Sequence, residues 1–192
     1  MTTLSKQILL CLLTFSLSFA SSYELDNAHS NIEFSVTHML ISTVTGNFND
    51  FNVEFKFDEN DLDNSSVRAT IMTTSVNTGN ERRDDHLRQD DFFNSNKYPA
   101  IVFKSTKIEK ANEGFIAQGE LTIRDVTKPI SLPFEVSGPI KDARGNTRIG
   151  VKAQTIINRQ EYNITWNKTL DNGGLVVSDE VEVIINIEFI KQ

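Results

Sequence analysis

The chain has 192 residues, 39% hydrophobic and 23% charged, with a formal net charge of −7. That length suits one domain with a sizeable core, and acidic charge spread along the chain excludes nucleic acid, whose binding rests on phosphates neutralised by Lys and Arg. The single cysteine, Cys11, excludes a disulfide framework and a thiolate metal centre.

Residues 1–20 carry one charge, Lys6, then the apolar stretch Ile8 to Phe19, with small residues at Ser18 and Ala20. This is the pattern of a secretory signal cleaved near Ala20. The apolar run is shorter than the roughly 20 residues of a spanning helix, and no later run approaches that length, so no transmembrane segment is expected after cleavage. Cys11 sits inside the run behind Leu10, which argues against lipidation, and it leaves with the signal. The expected organisation is a signal over 1–20 and one domain over 21–192.

From there the dominant period is two. Ile32, Phe34, Val36 and His38 share one face. The alternation continues in Val53-Phe55-Phe57, Val67-Ala69-Ile71, Ile101-Phe103-Ser105 and Phe115 to Ile123. It returns in Ile130 to Val136, Ile149-Val151-Ala153 and Val181 to Phe189. Period two is the strand period. Turn-forming clusters separate the runs: Gly46-Asn47, Asp58 to Asn64, Asn112 to Gly114, Gly138-Pro139, Asp142 to Asn146 and Asp171 to Gly174. About eight strands with short connections predict an all-β antiparallel meander, and closure into a barrel removes its exposed edges. An eight-stranded barrel has an interior that side chains fill or that holds one small ligand.

The exception is Thr78 to Phe93, which includes "ERRDDHLRQDDFF". Charges at helical spacing (Asp84 with Arg88, Arg82 with Asp85, Arg88 with Asp91) and a cap at Asn77 or Thr78 predict one short helix inserted between strands and ending before Pro99. Exposed ion pairs contribute only about 0.3–0.5 kcal/mol each, so pairing alone does not account for this segment. A fuller reading has the helix cover one end of the barrel, with Leu87, Phe92 and Phe93 turned inward and arginines at the rim.

Catalysis finds little support. Asp85 and His86 are adjacent and point about 100° apart on a helix, and no G-x-S-x-G elbow supplies a nucleophile. His29, His38 and His86 are the only histidines, without the compact spacing of a zinc site. His38 lies on the Phe34 and Val36 face, either as a core histidine or as a polar contact inside the barrel. The expectation is no enzyme activity, no metal and no cofactor.

The stretches "DNAHSNIEFSVTHMLISTVTGNF", "RDDHLRQDDFFNSNKYPAIVFKST", "GELTIRDVTKPISLPF" and "INRQEYNITW" resemble, in order, the YceI-like family of bacterial secreted proteins. The resemblance implies a lipocalin-like eight-stranded barrel with a helical insertion, located in the periplasm, often dimeric. It also implies an interior that takes a long isoprenoid, such as a polyprenyl pyrophosphate or quinone tail, or another long lipid. Two positions depart from the family pattern: Asp125 stands for the glycine of "RGVTK" and Asn163 for the glycine after "RQEY". Asp and Asn are next best after glycine at positive φ, so the turn geometry is expected to persist.

The candidate tail contacts are therefore Phe34, Val36, Phe55, Ile71, Phe103, Leu121, Phe134 and Val183, each on the apolar face of its strand, with Trp166 from the matching family segment. Head-group candidates are His38, Arg82, His86, Arg88 and Arg159, because guanidinium binds pyrophosphate in forked geometry. At about 0.8 kcal/mol per buried CH₂, a tail supplies ample affinity and leaves polar residues to orient the head. Two rivals remain at this point. One is a lipid-independent interaction module with a filled core. The other is an outer-membrane barrel, which the scarcity of Tyr and Trp for aromatic girdles speaks against.

Overall fold

The computed structural model describes residues 21–169 and 173–192. Residues 1–20, where a signal is expected, with Cys11, and Asp171-Asn172 of the last predicted turn lie outside the described residues. Eleven strand segments form one antiparallel sheet: β1 Ser21–Leu25, β2 Asn31–His38, β3 Ser42–Phe48, β4 Phe51–Phe57, β5 Ser66–Met72 and β6 Val76–Asn77. After the helix α1 Glu81–Arg88 come β7 Ala100–Lys110, β8 Phe115–Ile123, β9 Val126–Lys141, β10 Thr147–Asn158 and β11 Glu180–Lys191.

Eleven segments make eight continuous strands because three are broken part-way. β1 and β2 both pair with β11, through Tyr23↔Lys191 and Phe34↔Val183. Their other edge meets β4 and β3, through Tyr23↔Phe55 and Phe34↔Gly46. β5 and β6 continue the next strand against β4 and β3. From there β7, β8, β9, β10 and β11 follow in order and β11 returns to β1. The predicted eight-stranded antiparallel barrel with a helical insertion is thus the fold, and each predicted strand is the principal part of one of the eight.

One seam differs from simple closure. The β9–β10 ladder ends at Phe134↔Ala153. Above it the 3₁₀ turn Arg159–Tyr162 lies against β9, with Lys128 Nζ bonded to Glu161 Oε2 at 2.8 Å. Tyr162 and Ile164, both buried, carry the core across this seam.

Several local expectations are corrected. Gly46-Asn47 is not a turn but part of β3; the chain reverses at Met39-Leu40, both at positive φ. Gly46 is needed because a Cβ there would lie 2.5 Å from Cζ of Phe34. Gly138-Pro139 lies inside β9, where the register against β10 shifts. The helix is shorter than Thr78 to Phe93, and its cap is Asn80, whose side chain accepts from the Arg83 amide at 3.1 Å. Arg88 pairs with Asp85 at 2.8 Å rather than with Asp84 or Asp91. Asp84 is buried and accepts from the amide and hydroxyl of Thr78. Of the two glycine replacements, Asn163 does take positive φ, whereas in the β8–β9 turn that conformation falls on Arg124 rather than Asp125.

One end of the barrel is plugged by rings. Phe57 stacks edge-on against Phe115 at 4.9 Å, Phe115 lies over Phe134 at 5.5 Å, and Phe55 lies between Phe57 and Phe189 at 5.3 and 5.1 Å. Such pairs contribute about 0.5–1.5 kcal/mol each beyond area burial. Outside the same end Arg148 binds three carboxylates, donating to Asp26 at 2.6 Å, Glu188 at 2.5 Å and Asp142 at 2.8 Å. Asp26, His29 and Glu188 are the one group among the described residues with the proximity of metal ligands, and the guanidinium already occupies it.

Candidate functional site

Above the plug the interior is hollow. A cavity of about 420 Å³ runs up the axis, within the roughly 300–1,000 Å³ of sites that bury a small ligand. Its walls are aliphatic and aromatic side chains on the inward positions of β2, β4, β5, β7, β8, β9, β10 and β11. Burial along β11 marks the floor: Ile187 and Phe189 are buried, whereas Val183 and Ile185, also facing inward, keep accessible surface that belongs to the cavity.

All nine predicted tail positions, Phe34, Val36, Phe55, Ile71, Phe103, Leu121, Phe134, Trp166 and Val183, line this one space. Alternation brings them there because period-two residues of a closed sheet converge on its axis. Phe57 and Phe115, equally periodic, lie in the plug and do not line the cavity.

At the mouth stand α1, the segment after it, and residues 164–168 and 175–178. His86 packs edge-on against Phe92 at 4.9 Å and Trp166 at 5.3 Å, with its Nε2 2.8 Å from Oδ2 of Asp91. Phe93 closes over Phe48 at 5.8 Å. The charged helix is therefore the rim of an apolar opening, and Leu87, Phe92 and Phe93 do face inward.

The five head-group candidates separate. His38 and His86 line the cavity. Arg82 is exposed beside a shallow recess of about 380 Å³, lined by Asn80, Arg82, Arg83 and His86, that meets the cavity at Arg83 and His86. Arg83, at the junction, donates to the hydroxyl and carbonyl of Thr78 at 2.7 and 3.0 Å. Arg88 is a correction: it turns away from the mouth and donates to the carbonyls of Thr74 and Val76 as well as to Asp85. Arg159 borders the cavity, yet its five N–H donors all have protein acceptors: the carbonyls of Ile164, Trp166, Val177 and Ser178, and Oδ1 of Asp179. Burial pulls its guanidinium down while Asp179 opposes the shift. It clamps Ile164 and Trp166 to Val177 and Ser178 at the mouth and has no donor left for a head group.

Alternation and motif reading missed several residues. Ala117 and Ala153 shape the cavity by being small, Thr78 joins the rim, and Ile164, Val176 and Val177 complete the wall from an irregular segment.

The profile of the YceI-like domain family matches residues 23–189. A UPF0312 protein of Pectobacterium carotovorum is 38% identical over 177 residues, covering 91% of this chain and 89% of the relative. Among solved structures, the Campylobacter jejuni YCEI protein is 32% identical with a TM-score of 0.69, covering 98% of this chain and 99% of that one. A polyisoprenoid binding domain from Saccharophagus degradans is 17% identical with a TM-score of 0.61, covering 91% and 100%.

Proposed function

From the chain's place in the YceI-like domain family, to which it belongs, and from the geometry of its barrel, we propose that it is a periplasmic carrier. It holds the tail of one long-chain isoprenoid, or a similar amphiphile, without catalysing a reaction on it. The observation that carries this reading is the cavity: about 420 Å³, almost wholly apolar, floored by aromatic rings and opening where polar groups gather. The polyisoprenoid binding of the Saccharophagus domain supports the choice of ligand class, and the signal-like pattern of residues 1–20 supports the periplasm.

Tail and head divide the work. Ordering a flexible tail offsets much of its gross burial energy, yet what remains is enough for tight binding. The recess beside Arg82, Arg83 and His86 suits an anionic head, which would lie in water-exposed surroundings while its tail is dry.

The two rivals lose ground on specific observations. A filled-core module has no use for a hollow lined by Val183 and Ile185 with surface to spare. In an outer-membrane barrel the apolar faces meet lipid; here they point inward, and Glu54, Lys56, Lys104, Glu120, Glu135 and Lys152 stand exposed on the outside. Charges on a lipid-facing surface cost about 2–4 kcal/mol near the bilayer midplane for Lys and less for Glu.

The test is organic extraction of protein purified from its native source, followed by mass spectrometry. A stoichiometric long-chain lipid is expected; its repeated absence overturns the reading. Trp166, the only tryptophan, lines the cavity and provides a second readout, since a prenyl alcohol entering beside it changes its fluorescence.

A further inference from the structure

The hairpin between β2 and β3 turns on residues that its geometry disfavours. Met39 and Leu40 have φ of 51° and 65°, and the Ile41 amide donates to the His38 carbonyl at 3.2 Å. Positive φ at both central positions is the type I′ pattern, which favours Asn and Gly and crowds the Cβ of any larger residue. Two long aliphatic side chains occupy it in succession, and the tip faces solvent: Met39 is 40% exposed, Leu40 64% and Ile41 85%. Strain and exposed apolar surface both oppose folding, so the stability of the barrel does not explain this turn.

Its position gives it a use. The Met39 amide donates to the Val176 carbonyl at 2.8 Å and His38 pairs with Val177. Val36, His38, Val176 and Val177 line the cavity, and Leu175, next to them, is 38% exposed. The tip therefore projects from the rim of the mouth. The two segments that form this part of the rim, residues 35–48 and 173–178, contain no Asp, Glu, Lys or Arg in a chain that is 23% charged. Of the acidic residues that follow, Asp179 is bonded to Arg159 and Glu182 to Ser35 and Gln154, whereas Glu180 is exposed at the start of β11. Charges of both signs stand farther round the same end: Arg82 and Lys168, whose carbonyl accepts from Val176, and the exposed acids Glu81, Asp85 and Asp90 on or just after α1.

We propose that the Met39–Ile41 tip is where the barrel docks on a lipid bilayer, seating the mouth on the surface from which its ligand enters. This rests on the carrier reading above and adds the surface to it. The three aliphatic side chains of the tip together with Leu175, even fully buried, cover on the order of a few hundred Å². That is well short of the roughly 800 Å² per partner of a stable protein pair. Insertion into the headgroup region needs no such area, because affinity there scales with whatever apolar surface enters.

The substitution that tests it is Met39→Asn with Leu40→Gly, which supplies the residues a type I′ turn prefers and so leaves the barrel folded. The chain from Ser21 on, which contains the whole closed sheet, is floated with vesicles of phosphatidylethanolamine and phosphatidylglycerol. Loading with a prenyl alcohol from dilute detergent is followed in parallel by Trp166 fluorescence. The unsubstituted protein is expected to float with the vesicles, and the variant to float about tenfold less, in keeping with the lost apolar surface, while loading equally well. Equal flotation of the two proteins, or none by the unsubstituted one, overturns the docking proposal even when loading is normal. Failure of both to load overturns the carrier reading instead. If light scattering shows a dimer that the substitution dissolves, with no vesicle binding by either protein, the tip belongs to a second copy and the proposal falls.

Discussion

Filling the cavity with the protein's own atoms separates a carrier from a packed barrel by the sign of a stability change. Thr155, on an inward position of β10 opposite Val183, lines the hollow, and the β9 ladder ends one inward position below it. In Thr155→Phe the new ring enters space that no protein atom occupies. Burying a phenylalanine contributes about 1.5–3 kcal/mol. Fixing its rotamers costs about 0.5–1 kcal/mol, so lipid-free protein should gain about 1–2 kcal/mol. For a domain of this size that raises the melting temperature by about 2–8 °C. Ligand stabilisation should move the opposite way: saturation with a prenyl alcohol at a hundred times its Kd adds about 2.7 kcal/mol to the parent and little to the variant, whose site is blocked. Urea unfolding of delipidated protein, with and without ligand, reads both numbers. Destabilisation by about 1–3 kcal/mol, the signature of overpacking, would refute the reasoning, because it would mean that the space is not available in solution.

Arg159→Met should cost about 3–5 kcal/mol in urea unfolding, since it leaves carbonyls and Asp179 without the guanidinium that satisfied them; limited proteolysis should then cut within 164–178 first. Gly119→Ala should cost about 1–3 kcal/mol by the same assay, because its Cβ would lie 2.5 Å from the Lys104 carbonyl oxygen and 2.7 Å from the Phe103 ring. Arg148 holds Asp26 down at about 2, with His29 assisting, and holds Asp142 well below the usual carboxylate range. A depressed folded pKa gives stability that is present above the unfolded value near 3.9 and lost as pH falls through the folded value. Stability should therefore drop between about pH 4 and pH 2. In Arg148→Met the drop should be smaller and stability at pH 7 lower; an unchanged pH profile would remove Arg148 from that role.

The strands were legible because a closed antiparallel sheet has one dry face, and the alternation of Val181, Val183, Ile185, Ile187 and Phe189 records it directly. Depth along the axis was not. Phe55 and Phe57 are identical in pattern and both belong to the ring plug, yet only Phe55 also borders the cavity; the difference comes from strand stagger around the ring, which no single strand encodes. β3 was hidden because Gly46 reads as a turn residue, while its real function is to make room for the Phe34 ring. The arginines show a second kind of loss. Arg83 and Arg88 lie five residues apart and so point about 140° apart on the helix; which of them meets the mouth is set by how the helix docks, and here Arg83 borders the cavity while Arg88 donates to the carbonyls of Thr74 and Val76. Arg159, expected at a head group, is committed instead to acceptors that are mostly backbone carbonyls of an irregular segment, and carbonyls carry no sequence signature.

The hollow also constrains how the two ends of the barrel differ. At about 24 cal/mol per Å³, an apolar space of about 420 Å³ forgoes packing worth up to about 10 kcal/mol, comparable with the whole net stability of a domain, about 5–15 kcal/mol. A sheet this hollow stays folded only if stabilisation is concentrated elsewhere, and the structure shows where. The interleaved rings of Phe55, Phe57, Phe115, Phe134 and Phe189 fill the lower end completely, with the Arg148 network fastened outside it. The mouth bears the exposed aliphatic turn, the Arg159-clamped segment and the polar recess, features that cost stability or merely hold shape. A ligand tail that replaces the missing packing stabilises the half that lacks it, so occupancy and folding are coupled through the same apolar walls. Loss of a floor ring should therefore weaken the fold whether or not lipid is bound, whereas enlarging the upper wall should weaken the empty protein more than the loaded one.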